Sequence, residues 1–371
     1  MSQDEFDLWH MGRALELAAR GEGFVEPNPM VGCLLVGPDG SVVGEGWHQR
    51  FGGDHAEIEA LRVAGARARG ATAYITLEPC CHTGKTPPCT RALIAAGVRR
   101  VVGAMLDPFP AVAGQGFAEL TAAGIEIEVG LSEDAARTLN APYLKRLSVG
   151  RPWLIAKWAM SLDGKIATNA RQSRWITGPF ARQIGHRLRG RVDGILVGRG
   201  TALIDDPLLI PRPPGPRRAT RIVADTRASL PSASQLVRTA RDAPLLIAAG
   251  LESSTADRRR LTDAGCEVFV CDGASAADRL QSLLDELGRR RMTNVLVEGG
   301  SQLLGSLWDA NAIDEVHVFI APKLIGGSHA PMPLAGRGLA NIADVLPLID
   351  PKTQLAGDDF YITARVGRAH R

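Results

Sequence analysis

His55, Cys80 and Cys89 constrain this chain more than any other residues in it. One imidazole and two thiolates are a ligand set for a catalytic zinc, which takes three protein ligands and leaves a fourth position to water. Two thiolates cancel the charge of Zn²⁺ while the imidazole stays neutral. A metal held this way lowers the pKa of its water from 15.7 to about 7. Glu57 stands two residues after His55. It is not needed as a ligand and is placed to move a proton between that water and a leaving amine. Residues i and i+2 lie on opposite sides of a regular helix. The pair therefore shares a site only if His55 stands at or before the first helical turn, and the Gly-Gly-Asp of residues 52–54 favours a helix start there.

Two other readings of this stretch compete, and only the second fails outright. A structural zinc knot needs four protein ligands; Cys81 could be the fourth, but Glu57 would then be idle. A phosphate loop is invited by "GKT" after the strand-like "AYITL". Its pattern needs glycine where Pro79 stands, and Pro87 and Pro88 would break the helix that must follow.

Zinc nucleobase deaminases carry H-x-E…P-C-x-x-C. Here the two ligand cysteines enclose an eight-residue insert, "CHTGKTPP". Together "PNPMVGC", "HAE" and "EPCCHTGKTPPC" resemble the deaminase half of the bifunctional riboflavin-biosynthesis pyrimidine deaminase/reductases. The resemblance implies a cytidine-deaminase-like fold, with Zn²⁺ on His55, Cys80 and Cys89 and Glu57 as the catalytic acid–base. It assigns the position of Cys81 to a small residue, so Cys81 is a neighbour and not a ligand. Asn28, restricted by Pro27 and Pro29 on either side, and His82 and Lys85 in the insert are implied substrate contacts. Lys85 would meet a phosphate as a point charge.

A chain of 371 residues is too long for one ordinary domain, and the expected division is 1–147 and 148–371, with "LSVGRPW" (147–153) as linker. No apolar run approaches the roughly 18 residues of a membrane span, and the first residues lack a signal peptide's basic flank and apolar core. Six cysteines without an export signal imply a reducing cytoplasm and metal binding. Cys33, Cys266 and Cys271 lie in apolar runs and are expected to be buried. A net charge of +3 is less than a nucleic-acid-tracking domain carries; neither nucleic acid nor membrane is an expected partner. The arginine triplets at 258–260 and 289–291 read as solvated helix faces or ends.

Hydrophobic periodicity predicts an amphipathic helix over 4–20, a strand pair "VGCLLVG"/"VVGEGW", and a helix over "HAEIEALRVAGARA". Strand "TAYITL", helix "TRALIAAG", strand "RRVVGAM", helix "FAELTAAG" and strand "IEIEVG" follow. That order implies a mixed sheet with helices on both faces. Beyond the linker, strand-like and helical runs alternate from "WLIAKWAM" to "DFYITARVG", which implies an open, largely parallel α/β sheet. The proline-rich stretch 207–218 reads as a surface loop.

No G-x-G-x-x-G fingerprint is present, but "NVLVEGGSQLLGSL" runs a strand through Gly299 and Gly300 into a helix, a ready anion site. With "AMSLDGKIA", "SRWITG", "LVGRGTALIDDPLL" and "VEGG" in order, the second half resembles the reductase domain of the same family, which has a dihydrofolate-reductase-like fold. The resemblance implies an NADPH site formed by Ala159, Trp175, Thr201, Asp205, Gly300, Ser301, Gln302, Leu303, Leu304, Gly305 and Ser306. It implies substrate contacts from Ser173, Arg189, Leu209, Arg212 and Glu298. Guanidinium forks suit the phosphate of a phosphoribosyl substrate. Trp175 and Trp158 read equally well as core aromatics. The expectation is an enzyme that deaminates a phosphoribosyl pyrimidine and then reduces its ribosyl group, associating with itself through the reductase domain. The alternatives are a tRNA adenosine or nucleoside deaminase with an accessory nucleotide-binding domain, and a zinc-stabilised binding protein without catalysis.

Overall fold

Short strands with side chains buried on both faces organise the chain. A computed structural model describes residues 2–83 and 87–367 and separates the chain into two units, Met1–Val149 and Gly150–Arg371. Unit 1 begins with α1 (Gln3–Ala19), β1 (Gly32–Val36), β2 (Val42–Trp47), α2 (Ala56–Ala64) and β3 (Thr72–Ile75). It continues through α3 (Cys89–Ala96), β4 (Arg100–Gly103), α4 (Gln115–Ala122), β5 (Glu126–Val129), α5 (Glu133–Leu139) and α6 (Ala141–Val149). The sheet order is β2-β1-β3-β4-β5. β1 pairs antiparallel with β2 and β3, and β3-β4-β5 are parallel. Alternation sends Cys33, Leu35, Ala73, Ile75 and Val101 to the face packed by α2, α3 and α4. Leu34, Val36, Tyr74 and Val102 face Met11, Leu17 and Ala136 on the other side.

The mixed sheet with helices on both faces is as expected, and the differences are local. The helix expected over 55–68 stops at Ala64, because Gly65 turns to φ 55° and one 3₁₀ turn follows. Helices α5 and α6 were not expected, and α6 absorbs residues 147–149 of the expected linker. Gly46 in β2 lets α2 lie close, since a Cβ there would run into the α2 backbone at Ala56 and Ala60.

One buried ionic cluster fastens α1 to the sheet. The Arg100 guanidinium donates to both Asp7 oxygens, at 3.2 and 2.8 Å. The Tyr74 hydroxyl also donates to Asp7, and Arg100 reaches on to Glu128. Burial raises the Asp7 carboxyl, but the donors from Arg100, Tyr74 and Gln3 outweigh it and hold it below the usual range.

Unit 2 runs β6 (Trp153–Ser161), α7 (Pro179–Arg189), β7 (Gly194–Gly198), α8 (Arg199–Ile204), β8 (Thr220–Ala224), α9 (Gln235–Arg238) and β9 (Leu245–Ala249). After α10 (Thr255–Asp263) come β10 (Glu267–Val270), α11 (Ala276–Arg289), β11 (Asn294–Glu298), α12 (Ser301–Asp309), β12 (Glu315–Ala321), β13 (Leu348–Ala356) and β14 (Asp359–Val366). The sheet order is β10-β9-β8-β7-β11-β6-β12-β14-β13. From β10 to β12 every pairing is parallel; β14 and β13 close the edge antiparallel. One face packs under α11 and α12, the other under α7 to α10, as an open α/β sheet requires. The first arginine triplet is only partly a solvated face: Arg260 donates to the carbonyls of Leu230 and Ala228. Cys33, Cys266 and Cys271 are buried and free.

Removing one partner of a buried ion pair leaves the other charge uncompensated. Asp7→Ala should therefore lower the stability of the first unit by about 3 kcal/mol, read as a shift of the denaturant midpoint. Arg137→Ala, whose pair with Glu133 is exposed, should shift it by less than about 1 kcal/mol.

Candidate active sites

In unit 1 the end of one loop and the starts of two helices converge. His55 is the N-cap of α2, with extended backbone (φ −77°, ψ 163°), and Glu57 lies in the helix's first turn. Cys89 is the first residue of α3, and Cys80 ends the segment that leaves β3. The ligand atoms of His55, Cys80 and Cys89 all lie within 4.8 Å of one another. His55 Nδ1 is 3.4 Å from Cys80 Sγ and 3.3 Å from Cys89 Sγ. Tetrahedral zinc with ordinary bond lengths sets nitrogen and sulfur about 3.6 Å apart, so the cluster is already near the size zinc needs.

The electrostatics fit a cation. Hydrogen bonding from the Cys89 thiol draws the Cys80 thiol down against burial, and His55 adds to it, which raises the imidazole to about 9. The Cys89 thiol is pushed up by Cys80 and by burial. Glu57 is 3% exposed, and burial pushes its carboxyl up while the His55 charge pulls the other way. Its Oε2 is buried without a hydrogen-bond partner. A carboxylate oxygen left bare beside two thiols and an imidazole fits a metal with one position open to solvent. Cys81 turns elsewhere, donating to the Ala111 carbonyl at 3.7 Å, as a neighbour and not a ligand would.

Around this cluster, His48 packs edge-on against His55, ring centroids 5.4 Å apart. Its Nδ1 donates to the Asp54 carbonyl at 2.9 Å, which leaves Nε2 to accept from the Asn28 amide at 3.3 Å. Burial lowers the His48 pKa and keeps the ring neutral. The Asn28 side chain is thus fixed by a residue that sequence reasoning overlooked. His82 stands 5.9 Å from the Phe109 ring, with Nδ1 buried and unpartnered. Lys85 lies outside the described residues.

In unit 2 a cavity of about 1310 Å³ is bordered by the C-terminal ends of β7, β8, β9 and β11 and by α7, α8, α11 and α12. Ala159, Trp175, Thr201, Asp205, Gly300, Ser301, Gln302, Leu303, Leu304 and Ser306 line it, as do Ser173, Arg189, Leu209, Arg212 and Glu298. Gly305 is not among the lining residues: it is buried against the Ala335 carbonyl, where a Cβ would collide. Trp175 is 66% exposed, so it is no core aromatic. Gly299 and Gly300 both take positive φ, 88° and 84°, and Gly300 caps α12, so the turn needs glycine. Leu209, within the expected surface loop, is buried at φ 53°.

The cavity floor is charged. Arg189 donates to Glu298 through Nε at 2.5 Å and Nη2 at 2.8 Å. Lys157 Nζ is 3.9 Å from the same carboxylate, and burial lowers its pKa. Burial works to raise Glu298, but the Arg189 charge and its hydrogen bonds win, with Lys157 behind them, and hold the carboxyl at about 2. Lys157, His186 and Thr226 also line the cavity and were missed from sequence. A lone cation inside the apolar run "WLIAKWAM" was a signal for Lys157, and the spacing of three to Arg189 on one helix was a signal for His186.

Fold and sites together define a two-domain enzyme, a zinc-dependent deaminase followed by a reductase of the open α/β kind. Residues 4–105 match the cytidine and deoxycytidylate deaminase zinc-binding region, and residues 152–361 match the RibD C-terminal domain. The riboflavin biosynthesis protein RibD of Actinobacillus pleuropneumoniae is 39% identical over 96% of this chain and 94% of its own length. That of Escherichia coli is 40% identical over 93% of each chain. The solved RibD of Acinetobacter baumannii (form 1) superposes with a TM-score of 0.85 at 34% identity, over 99% of this chain and 100% of its own. The chain belongs to the RibD family, the bifunctional deaminase/reductases of riboflavin biosynthesis.

Two outcomes follow from the geometry. Cys89→Ser should lose the bound zinc measured by elemental analysis, whereas Cys81→Ser should retain it. The Glu298 carboxyl, held at about 2 against an ordinary value of 4.5, contributes stability that is complete above pH 4.5. That contribution disappears as pH falls toward 2. Glu298→Gln should flatten the acid limb of the stability profile between those values, read by denaturant titration at each pH.

Proposed function

We propose that this chain carries out two consecutive steps on one phosphoribosyl pyrimidine. Unit 1 removes an amine hydrolytically from 2,5-diamino-6-(5-phosphoribosylamino)pyrimidin-4-one. Unit 2 uses NADPH to reduce the ribosyl group to ribityl, giving 5-amino-6-(5-phosphoribitylamino)uracil. The carrying observation is the His55–Cys80–Cys89 cluster beside the unpartnered Glu57 oxygen. The substrate is suggested by a Thermotoga maritima relative, 31% identical over 98% of this chain with a TM-score of 0.84. That protein is described as a diaminohydroxyphosphoribosylaminopyrimidine deaminase/5-amino-6-(5-phosphoribosylamino)uracil reductase.

Zinc, when bound to His55, Cys80 and Cys89, supplies a Lewis acid that makes water nucleophilic at neutral pH. Glu57 then handles protons: its carboxylate accepts one from the attacking water and returns it to the departing amine. A carboxyl raised by burial is suited to both roles. Asn28, with one amide N–H held by His48, keeps its carbonyl oxygen and second N–H for the pyrimidine edge. Lys85 and His82 complete the substrate contacts.

In unit 2, NADPH when bound supplies the hydride. The amides at Gly300 and the start of α12 would hold its pyrophosphate, with Ala159, Trp175, Thr201, Asp205, Ser301, Gln302, Leu303, Leu304 and Ser306 around it. Two of the Arg189 nitrogens are committed to Glu298, so Arg212 at the cavity rim is the guanidinium for the substrate phosphate, with Ser173 and Leu209 beside it. Lys157 and Glu298 form the polar floor under the ribosyl group.

Copies of the chain associate through the reductase unit in this reading. Edge strand β13 is exposed over nearly its whole length, with Leu348, Ile349 and Leu355 uncovered near Ile342 and Val345, and an exposed apolar edge favours pairing. Six free cysteines fit a reducing cytoplasm. Among the described residues no helix is long and apolar enough to cross a membrane.

Glu57→Gln should lower ammonia release at least about 10²-fold while NADPH oxidation on the deaminated substrate stays at the wild-type rate. Loss of both activities together, or of neither, would contradict the assignment of one step to each unit.

A further inference from the structure

Glu78 has no part in the chemistry described above, yet it is 4% exposed and lies two residues before Cys80. Its carboxylate accepts four backbone N–H groups from one distant segment. Oε2 takes Asp107 at 3.1 Å and Gly114 at 2.9 Å; Oε1 takes Gly116 at 2.8 Å and Phe117 at 3.4 Å. Gly114 is the N-cap of α4, turned to φ 86°, and has no side chain to cap with. The orphan amides of that helix are therefore satisfied by a carboxylate from another part of the chain. Gly116 presses so closely on Glu78 and the Pro79 carbonyl that a Cβ would collide with them.

The segment that Glu78 holds touches both thiol-bearing stretches. From the loop, the Ala111 carbonyl accepts the Cys81 thiol at 3.7 Å, and the Phe109 ring faces His82. From α4, Glu119 accepts the Thr90 hydroxyl at 2.9 Å. Thr90 follows Cys89, and its N–H and hydroxyl reach the Cys80 carbonyl at 3.3 and 3.4 Å. The two sulfurs thus keep their spacing through a body that Glu78 fastens in place.

We propose that Glu78 is a positioning residue of the deaminase centre: it anchors the 107–117 segment, and through it fixes the Cys80–His82 and Cys89–Thr90 stretches against each other. The proposal rests on the deaminase reading of unit 1. Outer partners of metal ligands are worth about 10- to 100-fold in metal affinity or activity.

Glu78→Gln keeps the shape but turns an N–H toward amides that need an acceptor. It should weaken zinc about 10- to 100-fold in competition with a chromophoric chelator. At saturating zinc its deaminase kcat should still be lower than that of wild type. Glu78→Asp, which keeps the charge, should recover most of the zinc affinity. NADPH oxidation by the same chain should be unchanged in both variants, which confines the effect to the first unit. Wild-type zinc affinity and kcat in Glu78→Gln would overturn the proposal, as would equal loss in the Gln and Asp variants. Should Glu78→Gln not fold, Gly116→Ala decides: it leaves the carboxylate but pushes the segment off Pro79, and must also weaken zinc, or the proposal is wrong. Failure of the deaminase reading itself would look different, since the wild-type chain would then bind no zinc or release no ammonia.

Discussion

The start of α2 is the constraint on which the first unit depends. An imidazole and a carboxylate two residues apart cannot serve one centre from inside a regular helix. They can when the helix begins between them. His55 is extended and Glu57 is helical, so one side chain reaches the sulfurs while the other lies beside them, buried and bare at one oxygen. The sheet enforces this: glycine in β2 lets α2 approach, and the rigid floor of β3 delivers Cys80 to the same point. Local backbone geometry at a helix end thus sets the imidazole and the carboxylate apart, which is the division between ligand and proton carrier that the proposed deamination requires.

The second unit solves a different problem with charge. On the proposed reading its cavity holds a dinucleotide and a sugar phosphate, both anionic, yet its floor carries the buried carboxylate of Glu298. Arg189 and Lys157 keep that carboxylate ionised, leaving an acceptor in a surrounding that is otherwise cationic. A neutral side chain there would neither orient sugar hydroxyls as strongly nor restrain Lys157. The glycine turn before α12 adds backbone amides where a pyrophosphate would lie. Chemistry is thus left to the cofactor, and the protein contributes orientation and fixed charge.

Much of the metal centre was legible because its logic is local: residue types that bind zinc, at a spacing that only a helix start can reconcile. The alternation of the strands in both units was legible for the same reason. What escaped were features set by distant contacts. His48 fixes Asn28 across twenty residues, and nothing near either announces it. Strand β13 contains Pro351 and exposes nearly every side chain, so it has neither an alternating pattern nor the composition of an inner strand; proline is tolerated there because the strand is an edge. Helix α6 buries only Tyr143 and runs straight into Gly150 and Pro152, the breakers that marked the linker, so its last turn read as linker. Gly305 resembled a cofactor contact from its neighbours, but its lack of a side chain serves close packing on Ala335.

The central claim is a metal held by one imidazole and two thiolates, with one position left to solvent. X-ray absorption at the zinc edge of the purified full-length chain tests it most directly. The account predicts a first shell of two sulfur scatterers at about 2.3 Å and two light-atom scatterers at about 2.0–2.1 Å, with one light scatterer exchanging when a small anion is added. A shell of three sulfurs, or one with no exchangeable light atom, would mean that the protein fills every position, and the deamination assigned to this site would then be contradicted.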